Sequence, residues 1–386
     1  MKNKQVLMKK KIMRAIYRII YYVGCIILFV FKHIGKLMKY NDLALSVMLP
    51  FCEAAEVMSD CYVTCKFRPK SADMILEHPN QNETRLKQIA IVIQGPIIKK
   101  NDYTLETVKL YQKIYPGVLV VVSTWDDIES EYIVKFKKLN NCHVILNQKP
   151  KMSGNLNINY QIASTMAGLQ YAQEVGKKYV FKIRSDMRLY KVGILDELYT
   201  LVQKYPCFEE NSLGQKYRLV VFNAYVARPY NFSDFYMFGY VDDMLNYWNL
   251  PLQECSSDSG YVIANQMEIE KWTYRDVFES NLAPEIEITR NYIERVNGKS
   301  ECKIDCYWEF VKSSFITLPH TYLDTLWYKY DYNREENYIQ KTYVRSIYGA
   351  NGESMLTFSF DMWLDLFEGK FSLDSQKFEG YIDELA

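Results

Sequence analysis

The sequence is poor in histidine and has no excess of either charge. Among its 386 residues there are four histidines, and 47 basic side chains almost balance 46 acidic ones. Nucleic-acid-binding domains carry a strongly basic surface, so this balance argues against nucleic acid as the main partner. The nine cysteines show no framework of spacings, which predicts free thiols in a reducing compartment. Internal repeats and low-complexity tracts are absent as well.

The apolar run near the N-terminus is too short to cross a bilayer. It comprises the 13 residues 19–31, whereas a spanning helix needs about 20. Seven Lys or Arg residues lie within the first 18 positions, and three lysines follow within residues 32–39. Positive charge on both flanks predicts that residues 1–40 associate with an anionic membrane surface. A buried helix of the globular domain is the alternative, and residues 41–87 are predicted to form a helical neck and linker.

From residue 88 onward, apolar runs of strand length alternate with segments of helical spacing. Continuous apolar runs are typical of strands that are buried on both faces of a parallel sheet. The alternation predicts an α/β fold in which helices flank a mainly parallel sheet. The predicted strands are 89–93, 118–125, 142–146 and 178–184, and the predicted helices include 104–116 and 157–176.

Three of the predicted strands end in polar or otherwise unusual residues. Ligands of such sheets bind beyond the carboxyl ends of the strands. Because the carboxyl ends of parallel strands meet at the same edge of a sheet, we expect these residues to lie along one rim. They are Gln94, Gly95 and Pro96 after the first strand, Ser123, Thr124 and Trp125 at the end of the second, and Arg184 and Asp186 at the end of the fourth.

Charged residues alternate through the end of the fourth strand, in the sequence KYVFKIRSDMRLY. Lys182, Arg184, Asp186 and Arg188 stand at every second position, so a continuous strand would place them on one face. Buried charges are costly unless they are paired or bound to a ligand. The pattern therefore indicates either a strand that emerges into a binding site or a network of salt bridges at the rim.

A neutral, polar stripe runs along the long predicted helix 157–176. It consists of Asn157, Gln161, Thr165 and Gly168, where a solvated face would carry Lys and Glu. Its glycine costs the helix about 1 kcal/mol of propensity. Such a face suits a helix that meets a polar ligand or another backbone closely. Hydrogen bonds to neighbouring loops are the alternative.

Five motifs in this order resemble the WavE family of lipopolysaccharide-synthesis proteins. They are IVIQGPI, VVVSTW, GNLNINYQIASTMAGL, YVFKIRSDMRLY and RPYNFSDFYMFG, and the similarity covers roughly residues 88 to 295. The resemblance implies a GT-A-like, Rossmann-like fold. It also implies a glycosyltransferase that moves a sugar from a nucleotide-sugar donor to a surface glycan, which is lipopolysaccharide, lipooligosaccharide or capsule.

The resemblance further implies how the donor would be held. Asp186 stands where GT-A enzymes carry an Asp-x-Asp motif that binds Mg²⁺ or Mn²⁺ on the donor diphosphate, and His320 is a further candidate metal ligand. This sequence has one Asp where two are common, so Lys and Arg side chains are expected to share the neutralisation. The implied donor-binding residues are Gln94, Gly95, Pro96, Ser123, Thr124, Trp125, Asn157, Gln161, Lys182, Arg184 and Arg228.

Inversion at the sugar would also need a base for the acceptor hydroxyl. Glu285 precedes a predicted helix at the position that the resemblance implies for this base, and it joins Asp186 as a predicted catalytic residue. Glu287 and Asp234 are rivals for the base. An acid that stabilises the helix N-terminus is the structural alternative for Glu285, and Asp234 is also predicted to contact the acceptor.

The sequence predicts four regions: a membrane-associating segment 1–40, a neck 41–87, a GT-A-like catalytic domain 88–299 and a Tyr-rich, α-rich C-terminal extension 300–386. The expected partners are a nucleotide sugar, a glycan or lipid-linked glycan acceptor and the anionic cytoplasmic face of the inner membrane. Two other functions stay open: a sugar nucleotidyltransferase and a non-catalytic scaffold of a polysaccharide assembly complex. The single glycine of the loop QGPIIKK argues against the nucleotidyltransferase, whose loop is glycine-rich.

Overall fold

The computed structural model describes residues 22–23, 49–54, 56–57, 67–75, 82–224, 229–256, 283–298, 304–329 and 358–370. The chain divides into two compact units, Met1–Arg68 and Pro69–Ala386. The predicted membrane-associating segment lies outside the described residues, apart from 22–23. In the parts of the chain that the structure describes, no helix has the length and apolar content to cross a membrane.

A seven-stranded sheet forms the centre of the second unit, with the strand order β3-β2-β1-β4-β7-β6-β8. Strand β7 runs antiparallel to β4 and β6, and the other pairs described in this sheet are parallel. A second, two-stranded sheet pairs β5 with β9 in antiparallel fashion. The strands are β1 (Ile89–Gln94), β2 (Leu119–Trp125), β3 (Cys142–Asn147), β4 (Tyr179–Arg184), β5 (Met187–Leu189), β6 (Leu219–Phe222), β7 (Tyr236–Tyr240), β8 (Phe315–Leu318) and β9 (Thr325–Trp327).

Helices flank this sheet, so the predicted α/β fold with a mainly parallel sheet is confirmed, and it is compatible with a Rossmann-like fold. Strand β1 is buried along its whole length, as its continuous apolar sequence predicts. The helices are α1 (Glu83–Leu86), α2 (Tyr103–Ile114), α3 (Ser130–Lys137), α4 (Ile158–Glu174), α5 (Ile194–Lys204), α6 (Val241–Trp248), α7 (Pro284–Val296), α8 (Ile304–Ser314) and α9 (Phe360–Phe367).

Helix α4 packs unusually closely on the sheet. A Cβ atom placed on Gly168 would lie 2.4 Å from Cγ1 of Val92 in β1, so a larger residue does not fit without movement. Thr165, one turn earlier, is fully buried as well. The two later residues of the polar stripe, Thr165 and Gly168, therefore pack on the sheet, whereas Asn157 and Gln161 at the N-terminal end of the helix line a cavity.

The C-terminal part of the chain contributes to both sheets. Residues 304–327, which the sequence assigned to an α-rich extension, supply β8 to the edge of the main sheet and β9 to the small one. The register pairs Met187 of β5 with Trp327 of β9. Because β5 follows directly on β4, this pairing brings residues 325–329 to the carboxyl end of β4.

Candidate functional site

A cavity of about 570 Å³ lies at the carboxyl ends of β1 to β4. The chain passes from β1 to β2 on one side and later to β4 on the other, so the cavity lies at the point where the strand order reverses. Its volume falls within the range of small-molecule sites. The lining residues are Gln94, Gly95, Pro96, Ile98, Trp125, Lys149, Leu156, Asn157, Tyr160, Gln161, Arg184, Ser185, Asp186 and Lys329.

The loop after β1 forms the floor between β2 and β4. The Gly95 amide donates to the carbonyl of Ser123 at 3.1 Å, and the Ser185 amide donates to the carbonyl of Gln94 at 2.8 Å. Gly95 has a φ of +111°, and a Cβ there would lie 3.0 Å from Oγ of Ser185. The Gln94 side chain is fixed by Ser164 of α4, whose hydroxyl donates to it at 2.9 Å. Glycine is therefore required in this loop for both conformation and space.

Aromatic and basic side chains form the end of the cavity near β2 and β3. Trp125 is only 5% exposed, and its ring meets the Tyr160 ring edge-on with centroids 5.4 Å apart. Lys149, just after β3, forms an exposed ion pair with Asp127. A weakly held surface pair of this kind leaves Lys149 able to reorient toward an anion.

Ser123 and Thr124, predicted to bind the donor, are buried in β2 and do not line the cavity. The Asn147 side-chain amide donates to Oγ of Ser123 at 2.9 Å and to the carbonyl of Thr124 at 2.8 Å. Both residues thus help to join β2 to β3 below the rim.

The turn that leads into α4 has a strained backbone. Gly154, Leu156 and Asn157 all have positive φ values, of 70°, 49° and 65°. Non-glycine residues in this region concentrate at functional sites, where the surrounding structure holds them. Asn157 makes no side-chain cap for α4. Oε1 of Gln161 is buried and has no hydrogen-bond partner among the described residues, so a polar acceptor is available at the wall of the cavity.

Arg184 is the centre of a charge network at the end of β4. Its Nε and Nη2 donate to the two oxygens of Asp186, each at 3.0 Å, and its Nη1 donates to Asp234 at 3.2 Å. Its guanidinium also lies 5.1 Å from the centre of the Phe235 ring. Burial by itself lowers the pKa of Arg184. The carboxylates of Asp234 and Asp186 have the opposite and larger effect, so the pKa is raised overall. The guanidinium is therefore a permanent cation held in one orientation.

The carboxylate of Asp186 is enclosed by donors. Besides Arg184, Nε1 of Trp327 donates to it at 2.9 Å, and its backbone carbonyl accepts from the Tyr328 amide at 2.8 Å. Burial raises the pKa of Asp186, but Arg184 and the Trp327 indole outweigh burial and lower it overall. Asp186 is thus an ionised carboxylate whose two oxygens are already engaged.

Lys182, which is buried, and Glu285, which is half-buried, do not line the cavity but belong to the same network. Nζ of Lys182 donates to the backbone carbonyl of Asp234 and lies 4.7 Å from the centre of the Trp248 ring. Burial lowers the pKa of Lys182 to about 8. Burial and the neighbouring Asp234 raise the pKa of the Glu285 carboxyl, at the N-terminus of α7, to about 8. The protonated form of Glu285 is therefore favoured up to a higher pH than in an ordinary glutamate.

The prediction that four alternating charges share one strand face is wrong at Arg188. Strand β4 ends at Arg184, and the chain turns before entering β5 of the other sheet. Arg188 is buried against α2, where Nη2 donates to the carbonyl of Tyr103 at 2.7 Å and Nε to the Thr107 hydroxyl at 2.8 Å. It also donates to the carbonyl of Lys70 at 2.9 Å. Its role is structural.

The remaining site predictions divide by position. Arg228 lies outside the described residues. His320 begins a 3-10 turn, and its side chain is outside the described part. Lys149, Tyr160 and Lys329 line the cavity but were not predicted from the sequence. Lys149 follows the predicted strand 142–146, so the expectation that ligands bind beyond strand ends would also have identified it. Nothing in the sequence points to Lys329. The predicted residues that line the cavity are Gln94, Gly95, Pro96, Trp125, Asn157, Gln161, Arg184 and Asp186, and those that do not line it are Ser123, Thr124, Lys182, Asp234 and Glu285.

The described residues do not fit a site for Mg²⁺ or Mn²⁺. Such ions take several oxygen ligands, usually from more than one carboxylate. Within the described ranges no group of three or more His, Cys, Asp or Glu side chains is placed to hold a metal ion. Asp186 is the one carboxylate among the lining residues, and Arg184 and Trp327 occupy its oxygens.

Comparison with known proteins gives one firm result. Mannose-1-phosphate geranyltransferase from Thermus thermophilus matches in structure over 37% of this chain and 43% of its own, at 10% identity and a TM-score of 0.23, which is too low to carry an argument. No curated protein matches the sequence. The family model described as WavE lipopolysaccharide synthesis matches residues 89–313, more than half of the chain and all of the strands and helices that line the cavity except the segment around Lys329. The chain therefore belongs to the WavE lipopolysaccharide-synthesis family.

Proposed function

We propose that this protein is a glycosyltransferase that uses a nucleoside-diphosphate sugar to extend a lipopolysaccharide-type glycan. Family membership supports the pathway, and the cavity at the carboxyl ends of β1 to β4 supports the type of donor. The observation that carries the proposal is the composition of this cavity, which combines cations with aromatic and amide side chains.

The charge of the cavity suits an anionic ligand. Lys149, Arg184 and Lys329 line it, against the single carboxylate of Asp186. Arg184 is paired with Asp186, and Lys149 with Asp127 at the surface, so an anionic ligand would take the place of a carboxylate partner at these cations. A glycosyl transfer that expels a nucleoside diphosphate needs this kind of neutralisation for its leaving group.

The shape of the cavity suits a ligand with two unlike ends. It extends over the ends of four adjacent strands. Because neighbouring strands lie about 4.8 Å apart, the cavity spans roughly 14 Å. Trp125, Tyr160 and Gln161 offer rings and an amide toward the end near β2 and β3, where Lys149 also lies. Arg184 and Lys329 offer cations toward the end of β4. We assign the first end to the nucleoside and the second to the diphosphate.

The test is a donor screen with the whole chain. UDP-, GDP-, dTDP- and CMP-sugars are each incubated with lipopolysaccharide fragments, and release of the free nucleotide is measured. We expect release of one nucleoside diphosphate. Consumption of a nucleoside triphosphate and a sugar 1-phosphate, with release of pyrophosphate, would instead identify a sugar nucleotidyltransferase. Binding of no nucleotide would identify a scaffold.

The acceptor side of the proposal follows from the sequence. Glu285 is our proposed base and Asp234 a proposed acceptor contact, although neither is among the residues that line the cavity. The raised pKa of the Glu285 carboxyl suits a group that takes a proton from the acceptor hydroxyl. We further propose that the N-terminal segment attaches the enzyme to the cytoplasmic face of the inner membrane.

A further inference from the structure

The position of Lys329 is the feature that the family match leaves unexplained. The match ends at residue 313, yet Lys329 is one of the residues that line the cavity. It follows β9, whose pairing with β5 fixes it beside the end of β4. Trp327, two residues earlier, is tied to Asp186 by its indole N–H at 2.9 Å. A segment beyond the family match thus places a cation at the end of the cavity assigned to the diphosphate.

The second observation is the state of Asp186. A metal-binding carboxylate presents free oxygen lone pairs to the ion. Asp186 instead binds Arg184 with both oxygens at 3.0 Å and the Trp327 indole with one of them. This bidentate pair fixes the plane of the guanidinium. Asp234 supports it from the other side at 3.2 Å.

We propose that Lys329 and Arg184 neutralise the donor diphosphate without a divalent cation, and that Asp186 is a positioning residue for Arg184. The inference rests on the proposed function and specifies how its site recognises the ligand. In this arrangement the two side chains contact the diphosphate directly, at the place where a metal ion lies in related chemistry. Asp186 acts on the ligand only through Arg184, whose side chain is 26% exposed to the cavity.

The two accounts of Asp186 make opposite predictions for one substitution. If Asp186 holds a metal ion, Asp186→Asn weakens binding of the diphosphate and removes any response to Mn²⁺. If Asp186 positions Arg184, the change removes a negative charge near the ligand while Asp234 still holds the guanidinium. Affinity for the nucleoside diphosphate then stays within about threefold of wild type or rises.

The experiment is titration calorimetry of the full chain with UDP, GDP, dTDP and CDP, in EDTA and in MnCl₂. For the nucleotide that binds, we expect the two dissociation constants to agree within about threefold. Lys329→Met should weaken binding about tenfold in both buffers, since a hydrogen bond to a charged group is lost. Lys329→Arg should restore most of it. Lys138→Met, at the exposed end of α3, is the matched control and should bind as wild type.

A dissociation constant that is more than tenfold lower with Mn²⁺, and loses that difference in Asp186→Asn, would overturn the proposal. Manganese electron paramagnetic resonance on the wild-type protein with nucleotide provides the same test without a variant: an immobilised Mn²⁺ signal contradicts it. Unchanged binding in Lys329→Met contradicts it as well. Failure of every nucleotide to bind would refute the proposed function together with this inference, whereas metal-dependent binding would refute only the inference.

Discussion

At the scale of single residues, the end of β4 is held by ionisable side chains that depend on one another. Arg184 is paired with Asp186 and Asp234, and Lys182 is held against the carbonyl of Asp234. Burial and the neighbouring Asp234 raise the pKa of the Glu285 carboxyl. Because these groups are largely buried, removal of one charge leaves its partner without compensation.

Asp234→Asn should therefore destabilise the protein markedly. The carboxylate is 1% exposed, and its loss leaves Arg184 with one partner and an amide in a site built for a charge. We expect the free energy of unfolding to fall by about 2–4 kcal/mol in urea denaturation. Asp73→Asn is the control, because that carboxylate is 94% exposed and the change should cost less than about 0.5 kcal/mol. Equal effects of the two changes would refute the network as described.

Glu285→Gln should change how stability depends on pH. A carboxyl whose pKa is raised in the folded state favours folding while it is protonated. This contribution is complete below the ordinary pKa of 4.5 and is lost as the pH rises to about 8. The variant lacks this titration, so its free energy of unfolding should rise relative to wild type by at least about 1 kcal/mol between pH 5 and pH 8.

Chemical denaturation across that pH range measures the effect. Glu294→Gln, an exposed carboxyl on the same helix, should keep the pH dependence of the wild-type protein. A constant difference between Glu285→Gln and wild type at all pH values would show that Glu285 is ionised throughout, and would favour its role as a base that is ready without rearrangement.

At the scale of elements, the packing of α4 on β1 could be predicted in part from the sequence. The stripe of small and polar residues indicated a close approach to a backbone or a ligand, and the structure shows a close approach to the sheet at one end and a cavity at the other. Gly168 meets Val92 of the sheet, and Asn157 and Gln161 line the cavity. Which residues serve which purpose depends on where the helix crosses the sheet, and periodicity alone does not contain that information.

Gly168→Ala should destabilise the protein although alanine favours helices. The new methyl group would overlap Cγ1 of Val92, which lies 2.4 Å from its position. We expect a loss of about 1–3 kcal/mol in the free energy of unfolding. In a Val92→Ala background the clash disappears, so the same substitution should cost little or stabilise. Identical costs in the two backgrounds would show that the helix is not pressed against β1.

At the scale of the whole molecule, the strands near the start of the domain could be predicted and those near its end could not. Strands β1 to β4 are continuous apolar runs with helices between them, so pattern and topology agree. Strands β8 and β9 are short and pair with segments far away in sequence, and β9 spans only Thr325–Trp327. The same limit explains Arg188, whose alternation with Arg184 continued across a turn into another sheet.

Trp327→Phe tests whether the C-terminal segment completes the cavity. The change keeps an aromatic ring beside Phe235, whose centroid lies 4.5 Å away, but removes the indole N–H bond to Asp186. We expect a loss of about 1 kcal/mol in stability, and several-fold weaker binding of the nucleoside diphosphate because Lys329 is then held less firmly at the end of β4. Trp363→Phe is the matched control. It also loses a hydrogen bond from an indole N–H, in this case to the carbonyl of Val311, but away from the cavity. It should lower stability and leave binding unchanged, and equal binding losses would refute the role of Trp327.

The central claim is that the cavity at the carboxyl ends of β1 to β4 is the donor site, and a crystal structure of the full chain with a bound nucleoside diphosphate tests it most directly. The account predicts the diphosphate within hydrogen-bond distance of Arg184 and Lys329, and the base beside Trp125, Tyr160 and Gln161. Nucleotide bound anywhere else on the molecule would contradict it.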